Sequence, residues 1–578
     1  MTEPTADELA GAVAVDGPAD ADVPGPPPVR EPRSPREGWL WLAAGAVIAV
    51  VLTWPLAAHL GTVIPHDAGD PLAQVWVAAW GGHGLLHQPL GLFSANTFWP
   101  EFPSYAFSDD LLGYLPAGLV GSGPVAALVR YNLLFLFSYA LAFAGAALLA
   151  REIGARPAAA AVAGAAYAWA PWRMSHNGHL NILSTGAIPL ALCLLLSGYR
   201  RGHIRTIVAG WLVAAWQVSL GFGLGIYFCY LIALFALVVG IEWLRRGRPR
   251  PSRPVLLGTL AGGGAFLLIV LLCVAPYLEV LHRYPDAPRS AAEVQFFSPP
   301  LRSFLAADVT SRVWGHATEF ARKDLPWAPE QTLFPGLGVC VLAVLGLGRR
   351  ASSVRLRLAL AVSVVVGVLL CLGLRLHGGD FTYRPLYELL PGWKGLRTPG
   401  RLSVFWSLAL ALLAALGAQR AAESAERWSP QPRRAVAGSA VALVCAAVLL
   451  WEGSPRLPLP EVPKAPAGLA GIAGPQVHLP ASPFDDDVYM LWSTDGFPRI
   501  ANGNASYLPP GLNQVRNLTS FPDAASVAFL RARGYRTVVL HTDRAVGTPW
   551  ATTAQKPTDG LGITVRQVGS LVVYELGT

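Results

Sequence analysis

Between Ile64 and Trp76 the chain reads Ile-Pro-His-Asp-Ala-Gly-Asp-Pro-Leu-Ala-Gln-Val-Trp, which sets two carboxylates, Asp67 and Asp70, on a short loop ahead of a new helix. A carboxylate fixed where a polar loop meets an apolar element can take the proton of an acceptor hydroxyl as general base. Asp70 precedes Pro71, and Asp followed by Pro at the first helical position is a helix-start signal, so Asp70 can equally cap that helix. The two roles are compatible. Asp67 is the alternative base, or the neighbour that perturbs the pKa of Asp70.

A second acidic point, Asp109 and Asp110, follows in Phe107-Ser-Asp-Asp-Leu-Leu-Gly. It can bind an acceptor sugar or help hold a cation, or it can cap and solubilise the segment after Ser108. His83 and His87 share a helical face, but no Glu of the metalloprotease kind lies between them, so zinc is not assigned. The run from Tyr383 to Arg401 carries Arg384, Lys394, Arg397 and Arg401 into a helix start near Pro399, a suitable anion site for a phosphate leaving group. Snorkelling of long basic side chains at a membrane surface is the competing reading. A compact polar loop, Arg173-Met-Ser-His-Asn-Gly-His-Leu-Asn, brings His176, His179 and Asn181 as sugar hydrogen-bonders or as support for the acidic loop.

The elements that must position these groups are membrane helices. The chain of 578 residues is 53% hydrophobic and only 14% charged, with a mean hydropathy of +0.42. That is too apolar for an ordinary soluble protein. Apolar runs near the ~20 residues that cross a bilayer recur at roughly 38–57, 123–150, 157–172, 182–199, 206–221, 223–243, 255–278, 335–348, 355–374, 400–418 and 434–452, giving about eleven helices. Arginines before the first run keep the N-terminus inside. Alternation then gives the cytoplasm the loops with Arg151 and Arg156, Arg200 to Arg205, Arg245 to Arg253, Arg349 to Arg357, and Arg420 to Arg434. The opposite face carries the acidic and basic candidates and three long segments, 58–122, 279–334 and 375–399. The helix from Pro71 to His87, interrupted by Gly81, Gly82 and Gly84, reads as lying at the membrane interface rather than spanning it.

The first 36 residues, rich in Pro, Ala and Asp, read as a disordered cytoplasmic tail, residues 37–452 as the transmembrane part, and 453–578 as an external α/β domain behind a Pro-rich linker near 454–466. Strands are predicted at Thr537–His541 and from Ser570, with a helix from Asp523 to Arg533. All six cysteines fall in predicted spans, which argues against disulfides and a cysteine metal site. The net charge of +8 is largely the loop asymmetry and gives no reason to invoke nucleic acid.

The succession His66-Asp-Ala-Gly-Asp-Pro-Leu, Phe107-Ser-Asp-Asp-Leu-Leu-Gly, Gly178-His-Leu-Asn, Leu333-Phe-Pro-Gly-Leu, Leu396-Arg-Thr-Pro-Gly-Arg and Trp492-Ser-Thr with Asn502-Gly resembles a family of bacterial membrane proteins regarded as GT-C-fold glycosyltransferases. The resemblance covers nearly all of the chain after residue 38. It implies an α-helical polytopic fold and an inverting transferase that uses a polyprenyl-phosphate sugar as donor. An Asp of the first external loop activates a glycan, lipid or protein hydroxyl at the outer face of the cytoplasmic membrane. Asp70 matches that placement best, and the basic role falls on Arg397 and Arg401. The superfamily often shows Asp-Glu at this point. Here Asp70-Pro71 is closer to oligosaccharyltransferase relatives, which leaves metal dependence open, with a divalent cation as the candidate cofactor. Two other classes compete. A transporter or flippase of lipid-linked saccharides would need buried charges and broken paired helices, for which Gly221 to Gly225 is the single tempting break. A non-catalytic scaffold in envelope assembly would need neither.

Overall fold

Uninterrupted runs of Leu, Ala and Val satisfy their backbone hydrogen bonds internally only as helices when water is excluded, and each of the eleven apolar runs is helical in the computed structural model. The structure describes residues 35–245, 247, 250–349 and 351–577; the tail expected over 1–36 lies outside these, apart from Pro35 and Arg36. The long helices are α1 (Pro35–Leu52), α2 (Asp70–His87), α3 (Gly123–Glu152), α4 (Pro157–Ala168), α5 (Ala187–Arg201), α6 (Ile204–Ser219), α7 (Phe222–Arg245), α8 (Arg253–Arg283), α9 (Leu337–Leu347), α10 (Val354–Cys371), α11 (Ser403–Trp428) and α12 (Arg434–Glu452). Among the described residues seven helical segments are long and apolar enough to cross a membrane. The other four apolar helices are shorter or less apolar; α9, with 11 residues, rises only about 16 Å against the ~30 Å of a bilayer core.

The segment containing α11 is the hub, with 94% of its apolar window buried, and α4, α9, α10 and α12 pack around it. At the α9–α11 crossing a Cβ on Gly417 would stand 1.8 Å from the Leu342 carbonyl oxygen, so the backbones meet only because the position is glycine. By contrast only 11% of the α8 window and 6% of the α10 window are buried, so these two helices turn apolar surface outward. At one end of the bundle the arginine-rich connections are tied by ion pairs, including Arg151–Glu37 at 2.8 Å and Arg349–Glu423 at 2.7 Å.

At the other end the long connections gather beneath a small C-terminal unit. Its four-stranded sheet runs β1 (Gln476–Leu479), β2 (Thr537–His541), β4 (Leu571–Glu575), β3 (Thr564–Val568), with β1 and β2 parallel and the other pairs antiparallel. Helix α13 (Pro483–Trp492) starts at Ser482, whose side chain accepts from the Asp485 amide, and α14 (Ala524–Ala532) starts at a capping box of Asp523 and Ser526. The Pro-rich stretch after α12 is not a loose linker. Its Pro458 and Pro460 carbonyls accept from the His66 and Ile64 amides, and Glu461 bridges to Val63. The segment expected as an interfacial helix broken by glycines is an unbroken helix, α2, enclosed against α3 and α13. Gly82 is used for close approach, since a Cβ there would meet Gly118 backbone at 2.1 Å.

Candidate functional site

Asp70 is the first residue of α2, yet its carboxyl does not cap the helix: Gly69 holds the N-cap position and no side chain caps it. The turn is instead closed by Asp67, whose Oδ1 accepts from the Gly69 amide at 2.8 Å, while its Oδ2 lies 2.5 Å from His66 Nδ1. His66 adopts φ 84°, a left-handed conformation that is uncommon outside glycine and is found at functional sites. Its imidazole is raised above the usual value by the Asp67 hydrogen bond, against the effect of burial. Asp67 itself is raised by burial but lowered on balance by His66 and the Gly69 amide.

With the cap role removed, the Asp70 side chain is left 60% exposed, and its one side-chain hydrogen bond among the described residues joins Oδ2 to His179 Nε2 at 3.2 Å. The His179 bond holds its carboxyl below the ordinary value, against burial and the nearby Asp67, with help from Arg397. The opposite ring nitrogen of His179, Nδ1, is buried without a partner among the described residues, so the ring proton belongs on Nε2. One turn along α2, Gln74 accepts from the Leu180 amide at 2.6 Å and donates to Asn181 Oδ1 at 3.3 Å. Asn181 in turn donates to Asp109 Oδ2 at 2.5 Å, and the Gly223 amide donates to Asp109 Oδ1 at 3.0 Å. The Gly221–Gly225 break therefore serves as a backbone ligand of Asp109. A single polar network joins Asp109, Asn181 and Gln74 to the loop that holds His179.

Asp110, next in the chain, turns the other way. It is 2% exposed, and burial together with Asp109 raises its carboxyl to about 8. Neither acid caps a helix; the Leu112 amide donates a long 3.4 Å bond to Asp110 Oδ1, and the Tyr277 hydroxyl also favours the charged form of that carboxyl.

The basic candidates divide as well. Arg401 makes a bidentate pair with Glu330, which is 7% exposed, so two of its three nitrogens are committed. Burial would raise Glu330, but the Arg401 guanidinium pulls it down to about 2. His176 is fully buried and pushed to about 3 chiefly by that burial, so it is neutral, with Nδ1 unpartnered among the described residues. Arg397 lies 3.2 Å from Glu293 and over the Phe297 ring at 5.0 Å, and it remains 36% exposed. Arg384 bonds locally to Asp380 and Glu388, and Lys394 sits over the Tyr387 ring at 6.0 Å. His83 and His87 stack at 4.2 Å, with Phe497 on the other face of His83. Among the described residues no group of three or more His, Cys, Asp or Glu could hold a metal ion.

Four contributors are not singled out by the sequence pattern: Gln74, Glu293, Glu330 and Asp487. Gln74 carries a usable signal, since it lies one helical turn from Asp70 on the same face. Asp487 comes from α13 of the C-terminal unit. It is 1% exposed, accepts from Asn504 at 3.1 Å, and its Oδ1 has no partner among the described residues. Burial, and then the charge of Asp70, raise its carboxyl well above the usual value. Phe484, one turn earlier and 69% exposed, covers Gly69.

The family described as Domain of unknown function (DUF6311) matches residues 124–451, more than half of the chain. No curated protein matches the sequence. Among solved structures, the arabinofuranosyltransferase AftD from Mycobacteria is similar over 95% of this chain at 17% identity with a TM-score of 0.57. A variant of the same enzyme matches over 95% at 16% identity and 0.51. The oligosaccharyltransferase of Archaeoglobus fulgidus matches over 89% of this chain and 71% of its own at 13% identity, with a TM-score of 0.47. The chain spans 40% and 42% of the two arabinofuranosyltransferase chains. The fold is thus of the GT-C type that the sequence resemblance implied.

Proposed function

Because the chain belongs to the family described as Domain of unknown function (DUF6311) and carries a GT-C-type fold, we propose that it is a membrane glycosyltransferase. In this reading it moves a sugar from a polyprenyl-phosphate donor to a glycan, lipid or protein hydroxyl at the outer face of the cytoplasmic membrane. The observation that carries the reading is Asp70, a helix-start carboxylate freed from capping, half open to solvent and oriented by His179. Residues 37–452 form the membrane-embedded part, with the N-terminus inside, and 453–578 form an outward unit that closes over the acidic loop.

The reaction is a single displacement. The acceptor hydroxyl gives its proton to Asp70, and its oxygen attacks the anomeric carbon as the bond to the phosphate oxygen breaks. The leaving phosphate keeps the electron pair, and the configuration inverts. Arg397, exposed on one side, meets the departing charge, with Arg401 behind it fixed by Glu330. Asp109, steered by Asn181 and Gly223, accepts hydrogen bonds from sugar hydroxyls. His176 and His179 each keep a buried Nδ1 with no partner among the described residues, capacity that a bound sugar could use.

Transfer of radiolabel from a panel of polyprenyl-phosphate sugars by the purified full-length protein in lipid tests this. Wild type should transfer label, Asp70→Asn should lose about 10²–10⁴-fold in turnover, and Asp67→Asn should lose less. A donor that binds without transferring label, or an Asp70→Asn protein with wild-type turnover, would sink the proposal and move transport or scaffolding ahead.

A further inference from the structure

A cleft of about 840 Å³ opens between the last turns of α1 and α12 and the chain that leaves α12. It shares no lining residue with the acidic loop. Leu52 and Leu450 stand on its apolar walls, Trp54 and Trp451 at its rim, and Arg312 and Arg456 enter from the connections above. The two tryptophans are 65% and 60% exposed, and both follow or close an apolar helix, the position where indoles settle at lipid head-group level.

The arginines are brought together by backbone. Ser311 and Pro455 form an antiparallel bridge, the Arg312 amide donates to the Ser454 carbonyl at 3.1 Å, and the Arg456 amide donates to the Thr310 carbonyl at 2.6 Å. The only side-chain contact of either guanidinium among the described residues is a long 3.4 Å bond from Arg312 to the Pro455 carbonyl. No carboxylate lies within 4.0 Å of either one among the described residues. This sets them apart from Arg401, Arg516 and Arg533, each paired with an acid. Two exposed guanidinium groups with no acid partner among the described residues, above an apolar slot between membrane helices, complement an amphiphile with a compact anionic head. Phosphate, with oxygens spaced for the guanidinium fork, is the head group that fits.

We propose that this cleft binds a phosphate-headed lipid, with its phosphate between Arg312 and Arg456 and its hydrocarbon chain along α1 and α12. The site is separate from the donor site of the proposed transferase and stands whether or not Asp70 is a base. Its lining includes Pro458, whose carbonyl accepts from the His66 amide at 3.0 Å, so the occupant braces the extended segment that holds the acidic loop.

Native mass spectrometry of the full-length protein, released from micelles containing equal phosphatidic acid and phosphatidylcholine of the same chains, tests the proposal. Wild type should retain one phosphatidic acid at least tenfold in preference to phosphatidylcholine. Arg312→Gln with Arg456→Gln should abolish the preference. Leu450→Trp, which fills the slot and keeps both arginines, should reduce retention of phosphatidic acid at least tenfold; it decides the matter if the arginine variants do not fold. Equal retention of the two lipids by wild type, unchanged preference in the folded arginine variants, or unchanged retention in Leu450→Trp would overturn the proposal. Displacement by millimolar inorganic phosphate would also overturn it, by assigning the arginines to a soluble anion.

Discussion

At the end of the bundle where α3 meets α4, Arg151 bonds Glu37, Arg156 bonds Glu426 at 2.5 Å, and Arg349 bonds Glu423. At the opposite end Asp70 has a single histidine contact and 60% exposure, while His176, His179 and Asp487 each keep a buried polar atom with no partner among the described residues. The same residue types are present at both ends. In the first set every arginine has a carboxylate partner, although Arg349 Nε is itself left without one among the described residues; in the second, the leftover capacity sits on two histidines and a carboxylate. Buried polar atoms without partners are costly, at ~1–3 kcal/mol each, and persist where a ligand or ordered water completes them. The comparison therefore separates charges that organise the fold from charges that await something.

The largest expected effect breaks the comparison if it fails. Asp70→Asn should lower transfer about 10²–10⁴-fold while costing little thermal stability, because no cap is lost and the one bond given up, to His179, is largely exposed. A fall in unfolding temperature parallel to the loss of activity would return Asp70 to a structural role. Arg401→Gln should act the other way. It strands Glu330 in the interior, a loss of roughly 3–5 kcal/mol for a broken buried pair, and Arg401→Gln with Glu330→Gln should regain most of that stability but not the activity. Thermal melts in lipid with parallel transfer assays read both quantities. Asp109→Asn comes next. Weakening charged hydrogen bonds worth about 1.5–3 kcal/mol should lower kcat/KM roughly 10- to 100-fold, with Asn181→Ala giving part of the same loss.

Much of this arrangement is legible in the amino-acid sequence. Apolar runs determine where helices form, because a chain with so few charges has no other way to satisfy its backbone in lipid. Asp70, His179, Asn181 and Arg397 stand out because charge and amide groups are scarce beside such runs. The role of Asp70 in its own turn is not legible: the sequence places an Asp before a Pro but does not say that Gly69 takes the cap and Asp67 closes the turn. Asp487 and Glu330 are invisible at that level because their partners lie far away along the chain, and only the packing of α13 on α2 and of Glu330 beside Arg401 brings them in. Asp109 and Asp110 read as a pair, whereas one joins the network and the other is buried behind it.

That division predicts a pH signature. The Asp110 carboxyl is raised in the folded protein to about 8 from an ordinary value near 3.8. Its protonation therefore favours the fold at acid pH, and the contribution is lost as pH rises toward 8. Wild-type stability should decline across that window by at most about 1.4 kcal/mol per pH unit relative to Asp110→Asn, whose melts should follow a flatter line. Parallel curves would mean that Asp110 is solvated rather than enclosed.

The smallest effect belongs to the closed end. Arg156 is 53% exposed while its partner Glu426 is 22% exposed, so the pair is partly screened, and fixing the long arginine side chain in one geometry costs entropy. Arg156→Gln should change stability by no more than about 1 kcal/mol, less at high salt, and leave transfer unchanged. A loss of transfer with stability intact would show that the two ends are coupled through α11, whose Glu426 lies near one terminus and whose entry segment carries Arg401 at the other. The ion pairs now read as structural would then have to be counted as part of the catalytic apparatus.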